Sequence, residues 1–188
     1  MLILQSSVLF HGIDICWTHK GVLVEIISKI RVLESFIEDP SKGLPEEVYL
    51  FASRITPLVN VDLLIKDEQN RTLMSWREDE VYGIGWHLPG GIIRFKETMA
   101  KRIRAVAKQE LGAEVEFEPT PIAINQVIHP SSQTRGHCIS LLFRCSLLTS
   151  PNQRTYYQSE IPQPGQWTWY NACPEDIIEV HRMYEAFI

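Results

Sequence analysis

The stretch Trp86-His87-Leu88-Pro89-Gly90-Gly91, followed by Glu97 and the run from Thr98 to Gly112, decides how this chain is read. Proline fixes its own φ and two glycines let the backbone bend sharply, so Pro89-Gly90-Gly91 is a tight loop. From Thr98 to Leu111 the spacing predicts a helix that Gly112 stops. At about 100° per residue, Met99, Ala100, Ile103, Val106, Ala107 and Leu111 share one apolar arc, with Lys101, Arg104 and Lys108 beyond its edge. Glu110 falls inside that arc. A carboxylate facing a core is costly unless it is paired or bound to a metal; otherwise a helix-end glutamate turns to water or meets an arginine. Glu97 is expected at the helix start, where the dipole and an i,i+4 partner in Lys101 would favour it.

N-terminal to this stretch, Val24, Ile27, Ile30, Leu33 and Phe36 recur at helical spacing, and Asp39-Pro40-Ser41-Lys42-Gly43 ends that helix. Pro45-Glu46-Glu47 opens a second short helix, which Thr56-Pro57 closes. Val59–Lys66 and Arg71–Arg77 read as two strands of a hairpin around Asp67-Glu68-Gln69-Asn70. Further strands are expected at 114–118, 122–128, 138–147 and 167–170, and an amphipathic helix after Pro174. The sum is an α/β fold: a mixed β-sheet between helices (59–188), preceded by a helical extension (1–58).

The chain has 188 residues, 18 Lys+Arg against 23 Asp+Glu and a net charge of −5. A hydrophobic fraction of 45% and a charged fraction of 22% exclude a disordered or collagen-like chain. No apolar run approaches the roughly 18 residues of a membrane span. With no basic stripe, a nucleic-acid or acidic-membrane partner is not expected, and a phosphate-rich ligand would need a metal or a few placed arginines. Cys16, Cys138, Cys145 and Cys173 show no CxxC spacing and are too sparse for a disulfide framework. Met1-Leu2-Ile3-Leu4 lacks the basic flank and length of a signal segment. A reduced, cytoplasmic protein is expected.

Gly91, Glu97, Glu110 and Gly112 stand at the spacings of the Nudix box, and Trp86-x-Leu-Pro-Gly precedes them as in that family. The chain resembles a Nudix hydrolase. It departs from the box at Ala105-Val106, where the pattern has Arg-Glu, and at Gln109, where it has another glutamate. The loop-steadying arginine and two carboxylates are thus absent from their usual places. Thr56–Asp62, and Gln126, His129 and His137 ahead of the strand at Ile139–Arg144, are similar to the GDP-mannose mannosyl hydrolase branch. The resemblance covers roughly residues 55–170.

This resemblance implies a Nudix fold and a magnesium-dependent (or manganese-dependent) hydrolase of a nucleoside-diphosphate sugar. It implies a metal held by the Gly90 carbonyl, Glu110 and Gln163, a thin oxygen shell of the kind magnesium accepts. Asp62 and Arg77 match substrate-binding residues of the branch. Its second arginine is Ile92 here, and Arg94, two residues on, points to the same side of an extended segment. The branch has a histidine base after the loop glutamine, where this chain has Pro164. Another residue of the Gln158–Gln166 loop, or His87, His129 or His137, would replace it, against structural roles for each histidine; otherwise the chemistry reverts to attack at phosphorus or activity is lost. A domain that binds a nucleotide without cleaving it is the other reading. The N-terminal helices either pair two subunits through their apolar stripes or fold back on their own core. Trp76, Trp86, Trp167 and Trp169 either stack a base or pack.

Overall fold

The computed structural model describes residues 15–188, so the apolar opening at Met1–Leu4 lies outside the described residues, as does the side chain of Cys16. The chain divides into two compact units between Glu38 and Asp39. Helix α1 (Ile15–Ser35) belongs to the first and begins well before Val24. Helix α2 (Glu46–Ile55) belongs to the second rather than grouping with α1. Its Ser53 is buried and its hydroxyl accepts from the Arg135 N–H at 3.0 Å.

The strands are β1 (Leu58–Ile65), β2 (Thr72–Asp79), β3 (Gly83–His87), β4 (Gly90–Ile92), β5 (Val115–Phe117), β6 (Ala123–Ile128), β7 (His137–Leu147) and β8 (Trp167–Tyr170). One sheet runs β4-β1-β7-β5 with β6 also on β7; the other runs β3-β2-β8. The larger sheet is mixed: β1 and β7 are parallel, and its other pairings are antiparallel. The expected hairpin of β1 and β2 does not form. The turn is there, with the Asp67 carboxylate accepting from Gln69, Arg71 and the Arg71 guanidinium, but ladder pairing between the two strands is limited to the Lys66–Thr72 bridge. Both edges of β1 are already occupied, Asp62 facing Gly90 on one side and Leu142 on the other. β2 therefore pairs elsewhere, with β8 and with β3, a strand absent from the sequence reading.

Both faces of β1 are buried. Val61, Leu63 and Ile65 pack with Leu73, Ile103, Val106, Leu111, Phe143 and Trp167, while Leu64 packs with Met74, Trp86, Leu88, Leu142 and Tyr184. Trp86 and Trp167 are buried packing residues: Trp86 meets Trp76, Tyr157 and Tyr170 edge-on, with ring centroids 5.2–5.4 Å apart, while Trp76 also lines the cavity beside Glu110. The terminal helix is a 3₁₀ segment, Glu179–Phe187.

The helix after the Gly-Gly turn has two parts. Helix α3 (Met99–Val106) starts with the Thr98 hydroxyl accepting from the Lys101 N–H at 3.2 Å. A π-type turn, Ala107–Leu111, follows and ends at Gly112 with φ of +64°. Glu97 does not pair with Lys101. Its carboxylate accepts from Arg102 Nε at 2.8 Å and from the Arg94 N–H at 3.0 Å, with Arg102 Nη2 at 2.7 Å. Arg102 thus supplies, one helical turn before Ala105, the loop-steadying arginine that the box positions lack. Both side chains are buried. Removing one partner of a buried pair strands the other charge, so Arg102→Ala is expected to cost about 3–5 kcal/mol of stability. Lys101→Ala should change it by no more than about 0.5 kcal/mol. Urea unfolding of both variants checks this.

Candidate active site

Two adjoining cavities share Arg77, His87 and Gly90. The inner one, of about 170 Å³, has Asp62 in its lining. Asp62 is only 2% exposed. Asn60 Nδ2 donates to both its oxygens at 3.1 Å, the Tyr184 hydroxyl donates at 2.6 Å, and the Ser140 hydroxyl donates as well. These partners come from β1, β7 and the C-terminal 3₁₀ segment. They hold the carboxylate in one orientation, and burial beside it pushes the Tyr184 phenol pKa far up.

The neighbouring histidines are locked through Leu88. His87 Nδ1–H donates to the Leu88 carbonyl at 2.7 Å, and the Leu88 N–H donates to His181 Nδ1 at 3.0 Å. Burial holds both imidazoles below their ordinary pKa, so they are neutral. With Nδ1 carrying the proton, His87 Nε2 is a free lone pair 3.9 Å from Glu110 Oε2.

Glu110 lines the outer cavity with Ser75, Arg77, Gln109, Pro164 and Gly165. Its Oε1 accepts from the Gly90 N–H at 3.1 Å, and its side chain keeps 27% of its surface exposed. The π-type turn widens the backbone spiral, so the arc drawn at a constant 100° misplaces this side chain: it leaves the core and meets the Gly90 turn. Burial pushes its carboxyl up to about 8, against the pull of the Gly90 N–H and Arg77. On the adjoining strand, Arg77 Nη2 meets Asp79 Oδ2 at 3.1 Å. Burial alone would raise Asp79, but the Tyr82 and Val81 N–H groups and Arg135 hold it down at about 2.

The structure thus brings together Asp62, Arg77, Gly90 and Glu110. Gly91 and Glu97 support them: a Cβ on Gly91 would lie 2.8 Å from Val106 Cγ2. Arg94 goes elsewhere. Its guanidinium lies over the Gly43 turn and lines a separate cavity with Leu44, Tyr49 and Phe95. β4 ends at Ile92 and the chain then turns, with Lys96 at φ of +57°, so strand alternation does not extend to Arg94. Gln163 is exposed, its N–H donating to Gln166 Oε1 at 2.8 Å, while Pro164 and Gly165 line the outer cavity. His129 meets Ser131 and His137 meets Gln126; of the three histidines considered, only His87 lines the cavities. His181, Ser140 and Tyr184 were missed, since only the packing of distant segments places them beside Asp62.

Among the described residues no group of three or more His, Cys, Asp or Glu side chains could hold a metal. One free carboxylate oxygen beside a glycine turn suits a hard cation that draws its remaining ligands from water and substrate oxygens. A cation there requires Glu110 ionised, against its raised pKa. Because the folded pKa of about 8 exceeds the ordinary carboxyl value of 4.5, the carboxyl's contribution to stability is present below about pH 4.5 and is lost as pH rises through 8. In metal-free buffer Glu110→Gln should therefore become progressively more stable than wild type between pH 5 and 9. Thermal unfolding across that range checks the sign.

No protein-family model matches the chain. Low-salt glycan biosynthesis protein Agl8 of Haloferax volcanii is 33% identical over 81 residues, covering 43% of this chain and 51% of the relative. The match therefore spans about half the length of that curated relative. Among solved structures, the MutT NUDIX hydrolase of Burkholderia pseudomallei superposes with a TM-score of 0.57 at 17% identity, covering 71% of this chain and 98% of that one. The MutT protein of Methanosarcina mazei Go1 gives 0.54 at 15%, covering 71% and 94%. A NUDIX hydrolase of Nitrosomonas europaea gives 0.53 at 22%, covering 70% and 71%. With a mixed sheet, the Gly-Gly turn and Glu110 at the helix end, the chain has the fold of the Nudix hydrolases.

Proposed function

We propose that the chain is a magnesium-dependent hydrolase of a nucleoside-diphosphate sugar of the GDP-mannose type or a related nucleotide. The observation that carries the reading is Glu110, a carboxyl with one unused oxygen, tied by the other to the Gly90 N–H and sharing a cavity with Arg77. Agl8 is by name a glycan biosynthesis protein, which agrees with a sugar-bearing substrate. Magnesium, when bound through Glu110 and the Gly90 carbonyl, supplies neutralisation of pyrophosphate charge. Arg77 binds the same oxygens from β2. Asp62 offers fixed acceptor oxygens to hydroxyls in the inner cavity. Pro164 accepts no proton, whereas His87 Nε2 is unprotonated and faces the Glu110 carboxyl, placed to take a proton from water.

Purified protein incubated with magnesium and a panel of nucleotide sugars and dinucleotides is expected to release product from at least one, and Glu110→Gln to lower that rate by about 10²-fold or more. Absence of turnover throughout the panel rejects the reading. In ¹⁸O-labelled water, label on the sugar hydroxyl means attack at carbon and label on phosphate means attack at phosphorus. A second reading, a domain that binds a nucleotide without cleaving it, is favoured by Pro164 and Gln109, non-ionisable side chains lining the cavity beside Glu110. Ligand protection against unfolding without product release would select it.

The proposal includes a reducing, cytoplasmic setting, in keeping with free Cys138, Cys145 and Cys173. Among the described residues no helix is long and apolar enough to cross a membrane. It also includes pairing of two subunits through α1, whose Val24, Ile27, Ile30 and Leu33 form an apolar stripe. Light scattering should give the mass of a dimer; a monomer at every concentration rejects the pairing.

A further inference from the structure

The loop between β6 and β7 brings a second guanidinium to the inner cavity. Arg135 Nη2 donates to Asp79 Oδ2 at 2.9 Å, the same oxygen that Arg77 Nη2 meets at 3.1 Å. Asp79 Oδ1 is taken by the N–H groups of Val81 and Tyr82 at 2.8 and 2.9 Å. One carboxylate therefore faces two arginines, with no oxygen left unengaged. Both guanidinium groups lie over the Tyr82 ring, at 5.9 Å for Arg77 and 5.2 Å for Arg135. An arginine carries five N–H donors; each of these side chains spends Nη2 on Asp79, and the Tyr49 hydroxyl also faces Arg135. On the same cavity wall the Asp62 carboxylate is held by Asn60, Ser140 and Tyr184 rather than by either arginine. The Arg77–Asp79–Arg135 group is left with one surplus positive charge and unspent donors beside the cavity.

The backbone of Arg135 is held on both sides. Its φ is +57°, a conformation costly for a non-glycine residue unless its surroundings enforce it. Its N–H donates to Ser53 Oγ on α2 at 3.0 Å, and its carbonyl accepts from the Tyr82 hydroxyl at 2.6 Å. The Ser53 hydroxyl donates onward to the Leu50 carbonyl at 2.8 Å, which fixes its free lone pair toward the loop.

We propose that Arg135 and Arg77 together grip the diphosphate of the ligand at the boundary of the two cavities, with Ser53 of α2 as the residue that positions Arg135. The inference rests on the nucleotide-hydrolase reading for the identity of the ligand, but its geometry does not use Glu110. It gives the site the second arginine that Arg94 does not provide, and it gives α2 a role in substrate binding.

The test measures binding of GDP, ADP and GMP by calorimetry to wild type, Arg135→Ala, Arg135→Lys and Ser53→Ala, alongside kcat and KM on any nucleotide sugar that is turned over. Arg135→Ala is expected to weaken GDP and ADP binding about 10–100-fold, the effect of losing a hydrogen bond to a charged group. GMP, with one phosphate fewer, should lose less. KM should rise by a similar factor with kcat changed less than about 3-fold, the pattern of lost uniform binding. Arg135→Lys should restore part of the loss, and Ser53→Ala should weaken GDP more than GMP. If Arg135→Ala does not fold, Arg135→Lys and Ser53→Ala carry the comparison, and the GDP-over-GMP difference separates a binding role from a structural one. Equal GDP affinity in wild type and the folded variants, or no diphosphate binding to wild type, overturns the inference. Arg135-dependent GDP binding without turnover keeps the arginine pair and rejects the hydrolase; turnover with an unchanged KM in the variants does the reverse.

Discussion

Two glycines with no room for a side chain hold this site together. A Cβ on Gly90 would collide with Asp62 Oδ1 and lie 3.0 Å from the Val61 carbonyl, and one on Gly91 would press into Val106. The turn therefore lies directly on β1 and α3, closer than any side chain would permit. That approach puts the Gly90 N–H within hydrogen-bond reach of Glu110 and sets Asp62 at the floor of the inner cavity. The Glu97–Arg102 pair then fixes the far end of the same loop to α3.

The positive charge of this acidic chain is placed rather than abundant. Arg77 and Arg135 share the Asp79 carboxylate instead of each having its own, which leaves a local surplus where the net charge of −5 would not suggest one. The carboxylates nearby are restrained in different ways. Asp62 is tied down by hydrogen bonds from Asn60, Ser140 and Tyr184, and burial makes Glu110 resist ionisation. The same desolvation keeps His87 neutral with Nε2 free.

The departures from the box are unequal in consequence. The arginine missing at Ala105 is replaced by Arg102, one turn earlier on the same face, so the loop keeps its anchor. Val106 is a buried core residue packed with Ile103 and Leu111, so a carboxylate there would be desolvated. Gln109 and Pro164 line the cavity itself, and there the loss of ionisable groups bears on chemistry.

Local features were legible in the sequence. Apolar periodicity marked β1, β7 and α3, and Gly112 marked the helix end, because each depends on neighbours within a few residues. The spacing of Gly91, Glu97 and Glu110 pointed to the fold and singled out the Glu110 carboxyl. What the sequence could not determine was non-local or depended on departures from ideal geometry. The partner of β2 was decided by which edges of β1 were already taken. The aim of Glu110 was decided by a π-type turn that a constant helical step cannot show. Arg94 leaves the site because strand alternation ends with β4 at Ile92, while Arg135, which no local pattern marks, is held beside the inner cavity by Ser53, 82 positions away in the chain. Chain chemistry determined which groups could bind phosphate and metal; only tertiary packing decided which of them meet.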